Sequence, residues 1–484
     1  MLLYIPTHAE YLSFLDSHSS ELSFSDHKRL KQNKSFKSAL WCLRKLNLDS
    51  VRDLLLSLYS PVKGRPANNP LLYIRSFILM LRLGYYSVDL WCHTVHSDAL
   101  LQYMIGSSKP LSVSCHYDFI NRIMHDKPSL STLYPAGRNK SENKADLKKD
   151  QKWENYTDED TLSLAMKYRD GAQFDRSRAT FAIEKLFDLV AVRPSIRMKL
   201  IDQENLTAAG DGSCVHIHAN RFGNKVKGAE DPDLDHRYSA PDANIGWDSD
   251  LGSWYYGYTL FNISVHNPVH KIDLPVFLAM GYASDHDALT SITATARMLD
   301  INPNLKPKHM CFDSAMDAYS IYEYLRLKDI IPVIDWNKRT SNPVNPYAKY
   351  ENVDSDGVPL CTAGLRMIRD GYDNSKKATK YRCPVKAGKI HKCPLGNECS
   401  SSPYGRVKKT YDKTNYKLFG PIPYQSPKWK EIYKNRTCTE RINNRILNDY
   451  GLHKMAVRNR SKNFFFSIMG AINIHLDAWH KVEG

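Results

Sequence analysis

Asp211, Asp313 and Glu440 stand where phosphodiester chemistry would want carboxylates. Asp211 lies in a predicted strand among Ala208, Ala209, Gly210 and Gly212, Asp313 closes a short strand ahead of a helix, and Glu440 sits on a later helix. In-line displacement at phosphorus by two metal ions about 3.5–4 Å apart needs two or three carboxylates converging on one point. Mg2+ favours such oxygen ligands. The small neighbours of Asp211 permit close approach of backbone or metal, and an aspartate in a core-like strand is disfavoured unless satisfied or used. Each residue also has a plain structural reading. Gly210-Asp211-Gly212 is common hairpin chemistry, Asp313 would cap the helix through Met316, and Arg436 with Glu440 is an i, i+4 surface pair. Asp317 and Asp335 compete for the second place.

The elements that must hold these residues can be read from periodicity. Strands are predicted over Leu206–Asn220, Tyr258–His266 and Leu274–Tyr282. A helix over Asp287–Leu299, a strand over His309–Phe312, a helix over Met316–Leu327 and a strand over Ile330–Asp335 follow. Three consecutive strands and then alternating helices and strands predict an α/β class, a mixed sheet with helices on its faces. Residues 337–430 are too long for a connection and are expected to form a β-rich insertion. Helical pattern returns from Glu431 to Tyr450, stopped by Gly451, and again from Phe464 to Trp479. Tyr433, Arg436 and Glu440 are spaced i, i+3, i+7 and share one helix face.

Upstream, residues 1–133 read as helical. Asn69-Pro70 starts one helix, Gly84 ends it, Ser87 caps a second that runs into Leu100, and a third begins near Ser114. Residues 134–160 are dense in charge and poor in apolar residues and read as a solvated linker. A helical connector over 161–204 leads to the sheet, whose first part spans 205–336; the insertion (337–430) and C-terminal helices (431–484) complete the division.

The order Asp on a first strand, Asp after a fourth, insertion, Glu on a helix resembles the RNase H-like core of bacterial insertion-sequence transposases of the DDE type, in the branch with a Tyr-x2-Arg-x3-Glu signature. Tyr433, Arg436 and Glu440 match that signature. Asp211-Gly212-Ser213 matches its first block and Phe312-Asp313-Ser314-Ala315-Met316-Asp317 its second. The aspartates are 102 residues apart and the glutamate follows 127 residues later, a spacing similar to members with an insertion domain. Asn69-Pro70-Leu71-Leu72, Gly106, Pro110 and Ser114 to Phe119 look like the family's N-terminal, DNA-binding domain. The fuller signature ends in lysine seven residues past the glutamate; that position here is Leu447, with Arg445 nearby. The resemblance implies that Asp211, Asp313 and Glu440 bind two Mg2+ (or Mn2+) ions. Water would cut the element's ends and the freed 3′ hydroxyl would attack target DNA. It further implies that Tyr433 and Arg436 contact end-DNA phosphates and that a homodimer pairs two terminal inverted repeats.

Charge agrees with a polyanionic partner. The 484-residue chain carries 67 Lys and Arg against 52 Asp and Glu, which favours nucleic acid. Between Tyr404 and Arg445, eleven basic residues face three acidic ones, interleaved with seven aromatic rings, Tyr433 among them. Charge neutralises phosphate and rings stack on bases, so Arg441 and Arg445 join Tyr433 and Arg436 as DNA-contact candidates. Trp336, Lys338 and Arg339, just past the fifth strand, also suit DNA, with core packing as the alternative for Trp336. Cys361, Cys383, Cys393 and Cys399, with His391 among them, have enough ligands for a structural Zn2+, but no Cys-x2-Cys pair is present and reduced thiols are the alternative. Ten cysteines are too sparse for a disulfide scaffold, no apolar run is long enough for a membrane span, and no signal peptide is read at the N-terminus. A cytoplasmic, nucleoid-associated enzyme is expected. The rival expectations are a transposase-derived DNA-binding protein without chemistry and an RNase H-like nuclease that cuts without joining.

Overall fold

Side-chain caps set where the N-terminal helices begin. The computed structural model describes residues 2, 4–125, 132–136, 158–169, 179–285, 287–337, 345–396 and 399–484. Helix α1 (His8–His18) opens on a capping box between Thr7 and Glu10. Ser23 caps α2 (Phe24–Gln32) and Asn33 caps α3 (Lys34–Lys45). A short α4 (Arg52–Leu56) follows. Helix α5 (Pro70–Arg82) starts as predicted, with the Asn69 side chain accepting from Leu71 N and Pro70 in the first turn. Ser87 caps α6 (Val88–Ser97). This helix does not run into Leu100: Asp98 turns the chain, accepts from Leu100 N and Leu101 N, and begins α7 (Ala99–Ile105). Ser112 caps α8 (Val113–Ile123). Helix α5 is buried along most of its length, and Phe77 packs edge-on against Phe465 and Phe466. The N-terminal helices therefore share one hydrophobic core with the C-terminal helix and the sheet.

Most of the charged segment 134–160 lies outside the described residues. Helices α9 (Asp158–Arg169), α10 (Phe181–Phe187) and α11 (Arg193–Arg197) lead to the sheet, with a π turn at Asp188–Val192. Strand β1 (Thr207–His216) is followed by a small hairpin, β2 (Asn224–Lys225) and β3 (His236–Arg237), then β4 (Asn244–Asp248), β5 (Ser253–Asn267) and β6 (Ile272–Tyr282). Helix α12 (Asp287–Ile301), β7 (His309–Phe312), α13 (Tyr319–Leu327) and β8 (Ile331–Ile334) complete the alternation. Six strands form one mixed sheet: β6–β5–β1 run antiparallel and β1–β7–β8 parallel. Strand β4 was not predicted. It extends the same edge of β5 that β6 occupies, because Gly257 pairs with His216 of β1 on one side and Asn244 of β4 on the other.

The insertion holds a three-stranded antiparallel sheet, β9 (Ile368–Asp373), β10 (Ala378–Arg382) and β11 (Val407–Tyr411), in the order β11–β10–β9 with long irregular connections. It returns through α14 (Tyr416–Phe419) and α15 (Pro427–Tyr433). The predicted single helix from Glu431 to Tyr450 changes winding twice. A 3-10 turn at Lys434–Arg436 precedes α16 (Thr437–Asn444), a π turn spans Arg445–Asp449, and Gly451 stops the run at φ +67°. Helix α17 (Arg460–Glu483) ends the chain. Among the described residues, no helix is long and apolar enough to cross a membrane.

The pleat of β1 divides its side chains between two layers. Ala209 joins a core with Cys311, Val333, Trp429, Ile432 and Cys438, on the face covered by α15 and α16. Ala208 belongs to the larger core on the opposite face. Asp211 shares its face with Ala209, and Gly212 shares its face with Ala208.

Candidate active site

Strand pairing brings the two aspartates together. In the parallel β1–β7 ladder the last partners are Ala209 and Cys311. Asp211 and Asp313 each lie two residues beyond, at the carboxyl end of β7 and beside it on β1. Parallel neighbours are about 4.8 Å apart, so the carboxylates stand side by side. Gly210 makes this approach possible: a Cβ there would sit 2.5 Å from the Phe312 ring. The Asp313 side chain also accepts from Ala315 N at 2.8 Å, capping the 3-10 turn at Ser314–Met316. Its capping and site readings are thus compatible.

Arg436 joins the third carboxylate to the first. One of its terminal nitrogens donates to Glu440 Oε1 at 2.6 Å and the other is 3.7 Å from Asp211 Oδ2. The Asp211 side chain is only 17% exposed, and that of Glu440 is 52% exposed. The surface-pair reading of Arg436 and Glu440 therefore covers half of the geometry: the same guanidinium also reaches into the sheet. Tyr433, half-buried, stacks on Trp429 with ring centroids 4.4 Å apart.

A fourth carboxylate, Asp287, was not anticipated. It opens α12, on the opposite side of β1, and a Cβ on Gly212 would meet its Oδ1 at 2.6 Å. Burial pushes Asp211 up to about 7, helped by Asp313, Asp287 and Glu440 and opposed by Arg436. Burial likewise pushes Asp287 up to about 6, with Asp313 and Asp285 adding to it. Crowded carboxylates that resist ionisation are the hard-oxygen donor set a divalent cation relieves. The chemistry of the donors fits Mg2+ or Mn2+. As the side chains stand, no three His, Cys, Asp or Glu residues among the described ones gather within reach of one ion, and Arg436 supplies the positive charge between Asp211 and Glu440.

The competing aspartates have other partners. Asp317 is buried against Lys417 at 3.0 Å and accepts from Asn337 N. Asp335 accepts from the Tyr424 hydroxyl at 2.8 Å. Several DNA-contact candidates are also engaged within the chain. Arg441 donates to both oxygens of Asp273, at 2.5 and 2.9 Å. Arg445 pairs with Asp477, which also takes Arg82 and Tyr450. Leu447 is 6% exposed and part of the core. Trp336 is buried at 7% exposure in the core under α15, the packing alternative raised by the sequence. Lys338 and Arg339 lie outside the described residues. In the insertion, Cys383, His391, Cys393 and Cys399 line one cavity of about 210 Å³, and Cys361 is not among its walls. All ten cysteines are free thiols.

No family model and no curated protein matches the chain.

Proposed function

We propose that this chain is a DDE-type transposase that cuts DNA at the ends of an insertion sequence and joins the 3′ ends to target DNA. The observation that carries the reading is the position of Asp211 and Asp313, each two residues past the last pair of the parallel β1–β7 ladder, with Glu440 drawn to Asp211 through Arg436. The strand order β6–β5–β1–β7–β8, antiparallel then parallel, is the one expected of an RNase H-like core and supports it. Asp211, Asp313 and Glu440 would hold two Mg2+ or Mn2+ ions, which would neutralise charge at the reacting phosphate. Asp211 and Asp313 fix the position of that phosphate above the sheet, and Glu440, being exposed, closes the site from the helix side. Arg436 lies within reach of the same phosphate and is placed to neutralise it once Glu440 turns elsewhere. The partners are double-stranded DNA, as terminal inverted repeats and target, and a second copy of the chain that pairs the two ends, in a cytoplasmic, nucleoid-associated setting.

The test is cleavage of DNA carrying the element's ends with Mg2+, comparing wild type with Asp211→Asn, Asp313→Asn and Glu440→Gln, followed by a donor-plus-target joining assay. Variants that bind but do not cut, with joined products from wild type, support the reading. Cuts without joining would make the protein a nuclease, end binding without any cutting would leave a DNA-binding protein, and variants as active as wild type would remove these residues from the chemistry.

A further inference from the structure

A basic groove lies away from the carboxylates and plays no part in the chemistry above. It forms where α8, the β2–β3 hairpin and the segment entering α17 meet, and encloses about 880 Å³. Among the described residues four cations line it, Lys225, Arg237, Arg458 and Lys462, and no carboxylate does. Arg237 and Arg458 are exposed. Lys462 lies 4.8 Å from the centre of the Tyr117 ring of α8, and Lys225 is 3.2 Å from Asp235 on the rim while remaining 73% exposed. The cations come from two regions remote in sequence, the β2–β3 hairpin and the entry to α17, so the fold and not a local run of basic residues creates the track.

The groove is fixed to the strand that carries Asp211. The Tyr258 hydroxyl stands 2.9 Å from the Arg458 carbonyl oxygen, and Tyr258 pairs with Val215. His453 Nε2 lies 3.3 Å from the Cys214 carbonyl oxygen, tying the approach to α17 to β1 a second time. Val215 is four residues beyond Asp211, about 13 Å along a strand. Phosphates on one DNA strand are about 3.4 Å apart along the helix axis, so the point on β1 that anchors the groove lies about four nucleotides along from Asp211.

The geometry points to this groove as a contact for the phosphate backbone of double-stranded DNA whose reacting phosphate sits at Asp211 and Asp313. The inference rests on the proposed function for the direction of the duplex, but the contact itself is read by binding alone. Positive charge spread along an open track suits a polyanion. The N-terminal helices contribute one wall, so DNA held here touches both the helical region and the sheet.

The experiment is a titration of full-length protein with a fluorescent 40-base-pair duplex of arbitrary sequence, in Ca2+ to prevent cutting, over a salt series. The Arg237→Gln/Arg458→Gln protein is expected to bind at least fivefold more weakly, with a log–log salt dependence shallower by about 1.8, or about 0.9 per lost phosphate contact. A control protein with Lys306→Gln/Lys376→Gln, equal in charge but remote from the groove, is expected to match wild type. Arg237→Lys/Arg458→Lys is expected to recover the salt dependence. A groove variant that binds like wild type, or a control that falls equally, overturns the proposal. Tighter, equally groove-dependent binding of an RNA duplex overturns DNA as the partner. A salt dependence that needs the groove, from a protein that never cuts, would uphold the contact and defeat the catalytic reading.

Discussion

Arg436 donates a hydrogen bond to Glu440 across 2.6 Å while its other terminal nitrogen lies 3.7 Å from Asp211. The glutamate belongs to α16 and the aspartate to β1, so one guanidinium links the helix layer to the sheet at the point where the carboxylates meet. A planar cation with several donors can serve two carboxylates at once, which an ammonium does less well. Arg436 thereby offsets repulsion that would otherwise push the helix and the strand apart.

Removing that cation is expected to slow cleavage and displace its pH dependence. Arg436 lowers the pKa of Asp211 against burial and three neighbouring acids. In Arg436→Gln the metal-free Asp211 resists ionisation more strongly, so protons compete better with Mg2+ for it, the acid limb of the cleavage rate moves to higher pH, and the rate at pH 7 drops by about tenfold, the effect of about one pKa unit. Single-turnover cleavage between pH 6 and 9 measures both. An unchanged acid limb would show that Arg436 does not govern the charge of the site.

The same crowding makes a prediction for the metal-free fold. Asp211 has a folded pKa of about 7 against an ordinary value of 3.8. Between these values the folded state keeps a proton that the unfolded state has lost, so this residue's contribution to stability is present below about 3.8 and is lost as pH rises through 7. In a chelating buffer, Asp211→Asn should raise the melting temperature at pH 8 and leave it near wild type at pH 4. Adding Mg2+ at pH 8 should stabilise wild type more than the variant. Equal melting of the two proteins at pH 8 would mean that the carboxylate is not strained by its neighbours.

The strands that carry the aspartates were readable because their apolar runs are short and end in turn residues, and β7 falls on His309–Phe312 as expected. The helical stretch with Glu440 was readable as helix, but not its changes of winding, which follow tertiary contacts and leave no mark on the hydrophobic period. Strand β4 escaped because Asn244-Ile245-Gly246-Trp247-Asp248 is short, with only two apolar residues set around a glycine, and pairs only with the early part of β5. Asp287 escaped for another reason. An acid in the first turn of a helix is ordinary dipole chemistry, and only the packing of α12 against Gly212 of β1 shows that it joins the cluster. The one available hint was the bare Cα at Gly212 itself. Burial of Trp336, likewise, depends on where the insertion returns, as its ring packs near Tyr424 and under α15.

That bare Cα gives a sharp test. A methyl at Gly212 would stand 2.6 Å from Asp287 Oδ1, so Gly212→Ala must move Asp287 or shift β1 at the residue next to Asp211. The expected result is a cleavage rate lowered by about a hundredfold, as small displacements in a reacting site cost that much, with DNA binding retained. Shortening the acid in Gly212→Ala/Asp287→Ala should recover part of the rate if the clash acts through β1. No recovery would mean that Asp287 is itself needed.

Two buried hydrogen-bond chains of the same type hold the helices together, and they make the fold sensitive to acid. Trp91 Nε1 donates to Ser76 Oγ, which lies 2.9 Å from His116 Nε2. Trp479 Nε1 donates to Ser195 Oγ, 2.7 Å from His475 Nδ1. Burial pushes both imidazoles down to about 4. Below the ordinary histidine value of 6.5 the unfolded chain takes up protons that the folded chain refuses until about 4, so stability falls as pH drops through this window. Ser195→Ala leaves an indole N–H and an imidazole nitrogen buried without that partner, which should cost about 2–6 kcal/mol at roughly 1–3 kcal/mol per orphaned group. Ser76→Ala should behave alike. Denaturant unfolding at pH 7.5 and pH 5, in an Asp211→Asn background because Asp211 itself adds stability as pH falls through 7, measures the two effects together: both serines should matter at the higher pH, and the background protein should be weaker at the lower. A change under 0.5 kcal/mol (~0.5, within the range of ordinary surface substitutions) in both serine variants would assign the stability of these helices to packing alone.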